Sequence, residues 1–424
     1  MEISTYLISI EIKAPIRIKK RGTCIMVTKL AKHIRRVDYD IASVVREHAP
    51  VSRAEIASYL HRNPTTVGRV VDQLIAENIV CEIGERKREG LGRPSRLLVL
   101  NTEIYSVLTV DLGSLDVYAA ITDLSGKVHA TAQHTLPPKD SQQSIPVLIE
   151  FIHETVRQGA HLPAIQALVI GAPSIVNAEQ GVIEWAPILN WRDVPLKEIL
   201  ECEFNIPVLI ENDVNLATLG EFWKGAGRGI KQDMLFVSVG EGVGAGIIIN
   251  GELYLGATHA AGEVAYFITD VNVLRENAGQ FGNIESQIGR HGLVRMAQLV
   301  AQRYPASRLA QALSQAGQSV QTRDILALAE AGDVAALVVY NYVVDILTIV
   351  ICNAAVLLDP EMIILGGPSD WNWVSLIASI KDRLGSSLLR PVNIVPSKLG
   401  REALFMGGSY SALKMRPIFA KEKR

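Results

Sequence analysis

Two stretches of this chain follow one plan. SVLTVDLGSLDVYAAITDLSGKVHA occupies residues 106–130, and DMLFVSVGEGVGAGIIINGELYLG occupies residues 233–256. Each opens on a β-prone run, breaks at glycine and resumes as a second β-prone run, so each predicts a β-hairpin. Asp111 and Gly113 stand at the first turn; Gly240, Gly242, Gly244 and Gly246 punctuate the second. Glycine at such turns lets backbone N–H groups approach a phosphate closely. Duplication of the plan constrains the fold strongly: it calls for two similar β-rich lobes facing a cleft.

At 424 residues the chain exceeds one hydrophobic core, so more than one domain is expected. A hydrophobic share of 48% with 20% charged residues belongs to a globular protein. The net charge of −2 conceals a split: residues 1–100 carry 18 Lys+Arg against 11 Asp+Glu, the remainder 24 against 33. A basic head on an acidic body implies an anionic partner for the head alone. Cys24, Cys81, Cys202 and Cys352 form no CxxC pair, which argues against disulfides and thiolate zinc sites and fits a reducing cytoplasm. The apolar run VAALVVYNYVVDILTIVICNAAVLL, from Val334, is long enough for a membrane span but contains Asn341, Asp345 and Asn353. A charge near its middle favours a buried core helix, and no membrane partner is expected. Residues 1–37 lack an apolar segment with a cleavage site; they read as a weakly ordered extension, with Met26 a second candidate start.

The basic head, residues 38–100, reads as three short helices and a hairpin. Ser52-Arg-Ala-Glu55 is a capping box. Asn63 and Pro64 are suited to the N-cap and first position of the next helix. Along it Val67, Val70, Val71, Leu74 and Ile75 form one apolar stripe. The opposite face offers Thr65, Thr66, Arg69 and Gln73, side chains that can meet phosphates and base edges from a helix N-terminus. VCEIGERKREGLGRPSRLLVLN then reads as a hairpin wing, and Arg93, within Gly92-Arg93-Pro94, is suited to a narrow minor groove. Together these predict a winged helix-turn-helix with double-stranded operator DNA as partner.

In IPVLIENDVNLATLGEFW, Asn212 and Asp213 follow an apolar strand at a helix entrance, where a carboxylate can accept a hydrogen bond from a ligand hydroxyl. The ordered set VIGAPSIVNAEQGVIEWAPILNW, ENDVN, the glycine loop, HAAGE and LDPEMIILGG resembles the ROK family (repressors, open reading frames and sugar kinases). The GRP tripeptide is similar to one that many of its regulators carry in the wing. The resemblance covers about residues 38–414. It implies an α/β chain: an N-terminal winged helix-turn-helix, then, over 101–424, a two-lobed actin-like, ribonuclease H-like (ROK sugar kinase) domain. The first lobe is expected over about 101–215 with a C-terminal helix at about 400–414, the second over about 216–399.

The segment GEVAYFITDVNVLRENAGQFGNIE, residues 262–285, carries the sharpest departure. Zinc-bearing ROK proteins read GExGH and then CxCGxxGCxE. Here Tyr266 stands for the histidine, and Glu276, Ala278 and Asn283 for the three cysteines, while Glu263 and Glu285 remain. A structural zinc site needs thiolate and imidazole, so no zinc and no other cofactor is expected; packing of Tyr266 and Phe267 has to shape the loop instead. The phosphate loops depart too. The kinase pattern DxGGT becomes DLGSLD, with Ser114, Leu115 and Asp116 last, and GTGxG becomes GEGVG. An isolated carboxylate at Glu241, about 4 Å from a phosphate charge, costs on the order of 4 kcal/mol at a surface-like dielectric.

The expectation is therefore a cytoplasmic DNA-binding transcriptional regulator, a repressor, and not an enzyme. The resemblance implies that Asn212, Asp213, Glu263 and Glu285 bind a sugar or sugar-phosphate effector, Asp213 being a vestigial base position. A homodimer or higher homo-oligomer is expected, because one winged helix covers a half-site. The alternatives are an active ROK sugar kinase and a ligand-independent structural repressor.

Overall fold

The computed structural model describes residues 36–86, 94–102, 104–113, 116–136, 141–270, 282–316, 320–367, 371–385, 387–388 and 390–412. Of the positions singled out above, Arg93, Ser114, Leu115, Glu276 and Ala278 lie outside these, as does the extension up to residue 35.

The head is built from α1 (Arg36–His48), β1 (Val51–Ser52), α2 (Arg53–Tyr59), α3 (Pro64–Ala76), β2 (Val80–Arg86) and β3 (Ser95–Leu100). The capping box forms: Ser52 Oγ accepts from Glu55 N–H, and Glu55 Oε2 accepts from Ser52 N–H at 2.7 Å. Asn63 Oδ1 caps α3 through Thr65 N–H at 2.8 Å. Val67, Val70, Val71 and Leu74 of the stripe are buried and Ile75 is half-buried. They pack with Ile41 and Val45 of α1 and Leu98 of β3. β2 and β3 pair antiparallel with β1 beyond β3.

The first glycine-bearing stretch forms β4 (Ser106–Leu112), β5 (Asp116–Asp123) and β6 (Val128–Thr135), an antiparallel meander. After α4 (Ser141–Gln158), β7 (Ile165–Ala172) joins parallel to β4. A small sheet of β8 (Ile175–Asn177), β9 (Val182–Ala186) and β10 (Trp191–Val194) follows, then α5 (Leu196–Phe204) and β11 (Val208–Asn212). The resulting sheet runs β11-β7-β4-β5-β6. Its central strands are buried on both faces, hence the continuous apolar runs of β4 and β7.

Helix α6 (Asp213–Trp223) leads to the second sheet, formed by β12 (Met234–Val239), β13 (Val243–Ile249) and β14 (Glu252–Leu253). Helices α7 (Asn283–Ile288), α8 (Arg290–Arg303), α9 (Arg308–Ala316), α10 (Thr322–Glu330) and α11 (Val334–Leu358) come next. β15 (Met362–Gly366), α12 (Trp373–Leu384), β16 (Asn393–Pro396) and α13 (Glu402–Ala412) close the chain. This sheet runs β14-β13-β12-β15-β16 and repeats the hairpin-plus-parallel plan of the first.

By length and composition α11 could cross a membrane. Here Val339, Val343, Leu347, Val350 and Ile351 face the interior, while Arg383 of α12 pairs with Asp345 and donates to Asn341 Oδ1 at 3.1 Å. The polar residues that interrupt the run therefore mark its outer face.

Helices α6 and α13 cross almost backbone to backbone. A Cβ at Gly220 would lie 1.9 Å from Ala403 O, and one at Gly407 1.8 Å from Leu216 O, so both positions need glycine. Glu221, wholly buried on α6, accepts from Ser397 Oγ (2.6 Å) and from the N–H groups of Ala226 (2.7 Å), Lys398 (3.0 Å) and Leu399 (2.8 Å). These bonds tie α6 to the segment after β16.

Candidate functional site

A cavity of about 590 Å³ opens between the two five-stranded sheets. Strand β4 delivers Asp111 near its end, α6 delivers Asp213 at its first position, Glu263 precedes the short turn at Val264–Tyr266, and α7 delivers Glu285. All four line the cavity with Asn212, so the proposed sugar set comes together although its members arise from distant segments.

Each of these groups is already partly employed. Asn212 caps α6, its Oδ1 accepting from Asn215 N–H at 3.0 Å, and its Nδ2 donates to Ser174 O at 3.2 Å. Asp213 Oδ1 accepts from Val214 N–H at 2.9 Å. Glu285 Oε2 accepts from Val243 N–H at 3.1 Å, and a Cβ on Gly242 would come within 2.5 Å of that oxygen. Glycine in the second loop thus makes room for a carboxylate from α7. These residues line the cavity, where their remaining acceptor capacity is open to ligand hydroxyls.

Burial pushes the carboxyls upward. Asp111 rises to about 7, from burial and then the charge of Asp213, against the pull of Arg401. Asp213 rises to about 6 from burial, opposed by the Val214 N–H bond. Glu285 rises to about 7 from burial, with Glu263 and Asp213 adding to it and the Val243 bond opposing. Glu263 is raised by burial and then by Asp213. Through the interval between ordinary carboxylate values and these raised ones, the folded state holds protons that the unfolded chain has released. Their stabilising contribution is therefore complete at low pH and lost as pH rises through about 6 to 7. Glu285→Gln, which keeps an acceptor for Val243 N–H, should gain stability over the native chain as pH rises from 4.5 to about 7 in denaturant melts, and hold that gain above it. A constant difference across that range would remove Glu285 from the titrating set.

Two expectations need revision. Glu241 does not stand alone in the second loop: Arg290 of α8 pairs with it at 2.7 Å, so the repulsion reckoned for an isolated carboxylate is locally compensated. Tyr266 is 46% exposed at the cavity rim, and Phe267 packs against the apolar core that includes Val264 and Ile284. The staple is Asn283, one of the substituted ligand positions. Its buried amide donates to Phe267 O (3.2 Å) and Thr269 Oγ1 (3.0 Å) and accepts from Gln287 Nε2 at 2.6 Å, and Tyr342 donates to Gln287. A hydrogen-bonded amide therefore spans part of the loop that zinc would have cross-linked.

Other cavity residues carried little signal in the sequence. His259 lines the cavity at φ +57 with Nδ1 buried and unpartnered among the described residues. Trp185 of β9 presents an aromatic ring at the wall, with Arg192 stacked 4.3 Å from it. Arg401 lies over the Tyr118 ring at 3.7 Å, beside Asp111. A left-handed non-glycine residue and a tryptophan between turn residues were the available hints.

On the head, Thr65, Arg69 and Gln73 are exposed on α3 and Thr66 is half-buried. Gln73 Nε2 donates to Glu77 Oε1 at 3.1 Å. Arg53, Arg62, Arg86 and Arg96 are held in ion pairs and Arg46 is buried. Arg69 is thus, among the described side chains of the head, the exposed arginine that no carboxylate holds.

Paired five-stranded sheets around a carboxylate-lined cleft define a sugar-kinase-like body. Residues 107–414 match the ROK family, and the chain belongs to it. A xylose repressor of Caldicellulosiruptor bescii is 29% identical over 78% of this chain and 82% of its own length. The crystal structure of a ROK family transcriptional regulator, a homologue of the Escherichia coli MLC protein, superposes with a TM-score of 0.77 at 22% identity over 91% of this chain and 98% of that one. A ROK family glucokinase from Streptomyces griseus, in complex with glucose and AMPPNP, superposes with a TM-score of 0.61 at 27% identity over 72% and 98%.

Proposed function

We propose that this chain is a DNA-binding transcriptional repressor whose ROK body binds a sugar effector and performs no catalysis. The observation that carries the reading is the head. The glucokinase structure is spanned almost whole while leaving more than a quarter of this chain unmatched, whereas the regulator structure extends over 91% of it. The family match likewise begins only at residue 107.

Residues 38–100 form a winged helix-turn-helix in this reading, with α3 as recognition helix and β2–β3 as the wing. Thr65, Thr66, Arg69 and Gln73 meet the major groove, and Arg93 reaches the minor groove. A second copy of the chain supplies the other half-site, so the operator is an inverted repeat. The protein works in the cytoplasm, where the DNA is. Asn212, Asp213, Glu263 and Glu285 hold sugar hydroxyls in the cleft, and Glu241, its charge met by Arg290, fills the place where kinases put a hydroxyl.

Selection of bound duplexes from a random-sequence DNA pool by the full chain tests this. An inverted repeat should be enriched, and Arg69→Ala should flatten preference at one base pair per half-site by about 1–3 kcal/mol. ATP-dependent sugar phosphorylation with no enriched duplex would replace the reading with that of a kinase.

A further inference from the structure

Arg46 sits near the end of α1 in the head, yet it is only 6% exposed. Its guanidinium lies 3.6 Å from the centre of the Tyr410 ring and 5.8 Å from that of Trp223. Nη1 donates to the Tyr410 carbonyl at 3.2 Å, and Nη2 reaches Glu47 on its own helix at 3.0 Å. Trp223 is the last residue of α6, and Tyr410 lies in the last turn of α13. A head cation is therefore held by two body helices through ring faces and a carbonyl, an arrangement specific to a planar guanidinium.

The opposite ends of those two helices are in the cleft. Asp213 opens α6 and is one of the cavity carboxylates, and Leu404, in the first turn of α13, lines the same cavity. Eleven helical residues span roughly 16 Å, so each helix runs from the cavity to the head. At Gly220 and Gly407 the two helix backbones are in direct contact. A shift at the cavity end of one helix is therefore felt by the other. Beyond Arg46, α1 shares a continuous core with α3 and with Phe405 and Ala412 of α13.

We propose that Arg46, clasped by Trp223 and Tyr410, is the positioning residue that transmits the state of the cleft to the DNA-binding head. This rests on the regulator reading above and adds its route: cavity to α6 and α13, these to Arg46, and α1 to α3. Coupling through a clasp of this kind acts in both directions, so DNA bound to the head must be felt at the cleft.

The test is hydrogen exchange on the full chain, free and bound to the duplex it enriches from a random pool. In the native protein DNA should change exchange about fivefold or more over residues 213–217 and 402–406, the cleft ends of α6 and α13. Arg46→Met should still bind the duplex and keep α3 protected, but lose that distant change. Arg46→Lys, which keeps the cation and stem and so guards against misfolding of the head, should retain at most a weak remnant. A remote change that survives both substitutions, or a native change confined to the head, would overturn the proposal. Failure to enrich any duplex would remove the regulator reading, and this proposal with it.

Discussion

Glu221→Leu is expected to destabilise the fold by more than about 4 kcal/mol, with Glu221→Gln distinctly milder. The carboxylate is fully buried and accepts from Ser397 Oγ and from the backbone of Ala226, Lys398 and Leu399. Leucine leaves the part-buried N–H groups of Ala226, Lys398 and Leu399 without this acceptor, each worth up to roughly 1–3 kcal/mol when stranded, and leaves the hydroxyl to find another. Crowding adds to this, since Gly225 lacks a Cβ where Glu221 Oε2 passes 2.0 Å from its ideal position. Glutamine keeps one acceptor oxygen and the shape. Urea denaturation of the three proteins decides it, and a loss below about 1 kcal/mol for the leucine variant would mean that solvent replaces those bonds.

The second large effect concerns the ligand. Asp213→Ala should weaken binding of the effector sugar by about tenfold to 150-fold, the worth of one hydrogen bond to a charged group. The fold should tolerate the change, because the side chain bonds the adjacent Val214 N–H, within the first turn that Asn212 already caps. Calorimetric titration with D-xylose, D-glucose and N-acetyl-D-glucosamine would read the loss on whichever sugar the native protein binds. Undiminished affinity in the variant would place the sugar away from the α6 entrance.

What the sequence revealed was local or repetitive. The capping box at Ser52 and Glu55 and the Asn63-Pro64 start involve residues within a few positions of each other, so propensity and capping rules suffice. The doubled glycine-bearing hairpins disclosed the paired sheets for a similar reason: period and punctuation repeat. The cavity carboxylates were legible only through an ordered run of motifs, since nothing local links Asp213 to Glu285. The features that escaped reading join residues far apart in the chain. Arg46 meets Tyr410 across 364 positions, Glu221 meets Ser397 across 176, and Arg290 meets Glu241 across 49. Asn283 read as a vacated ligand position because its amide geometry depends on where the chain at Phe267 and Thr269 returns. Pattern announces burial; the choice of a distant polar partner is made by the packed structure.

The central claim joins the two halves of the molecule: a sugar in the cleft alters the hold of the head on DNA. It is tested most directly by titrating the full chain onto its enriched duplex with and without the sugars above and the 6-phosphates of glucose and N-acetylglucosamine, at one fixed salt concentration. At least one of these should shift the DNA dissociation constant by about fivefold to 150-fold, the usual range of coupling between two sites, and Asp213→Ala should abolish the shift at the same sugar concentration while leaving sugar-free DNA binding intact. A DNA affinity indifferent to every sugar, in a protein whose cleft nonetheless binds one, would contradict the account.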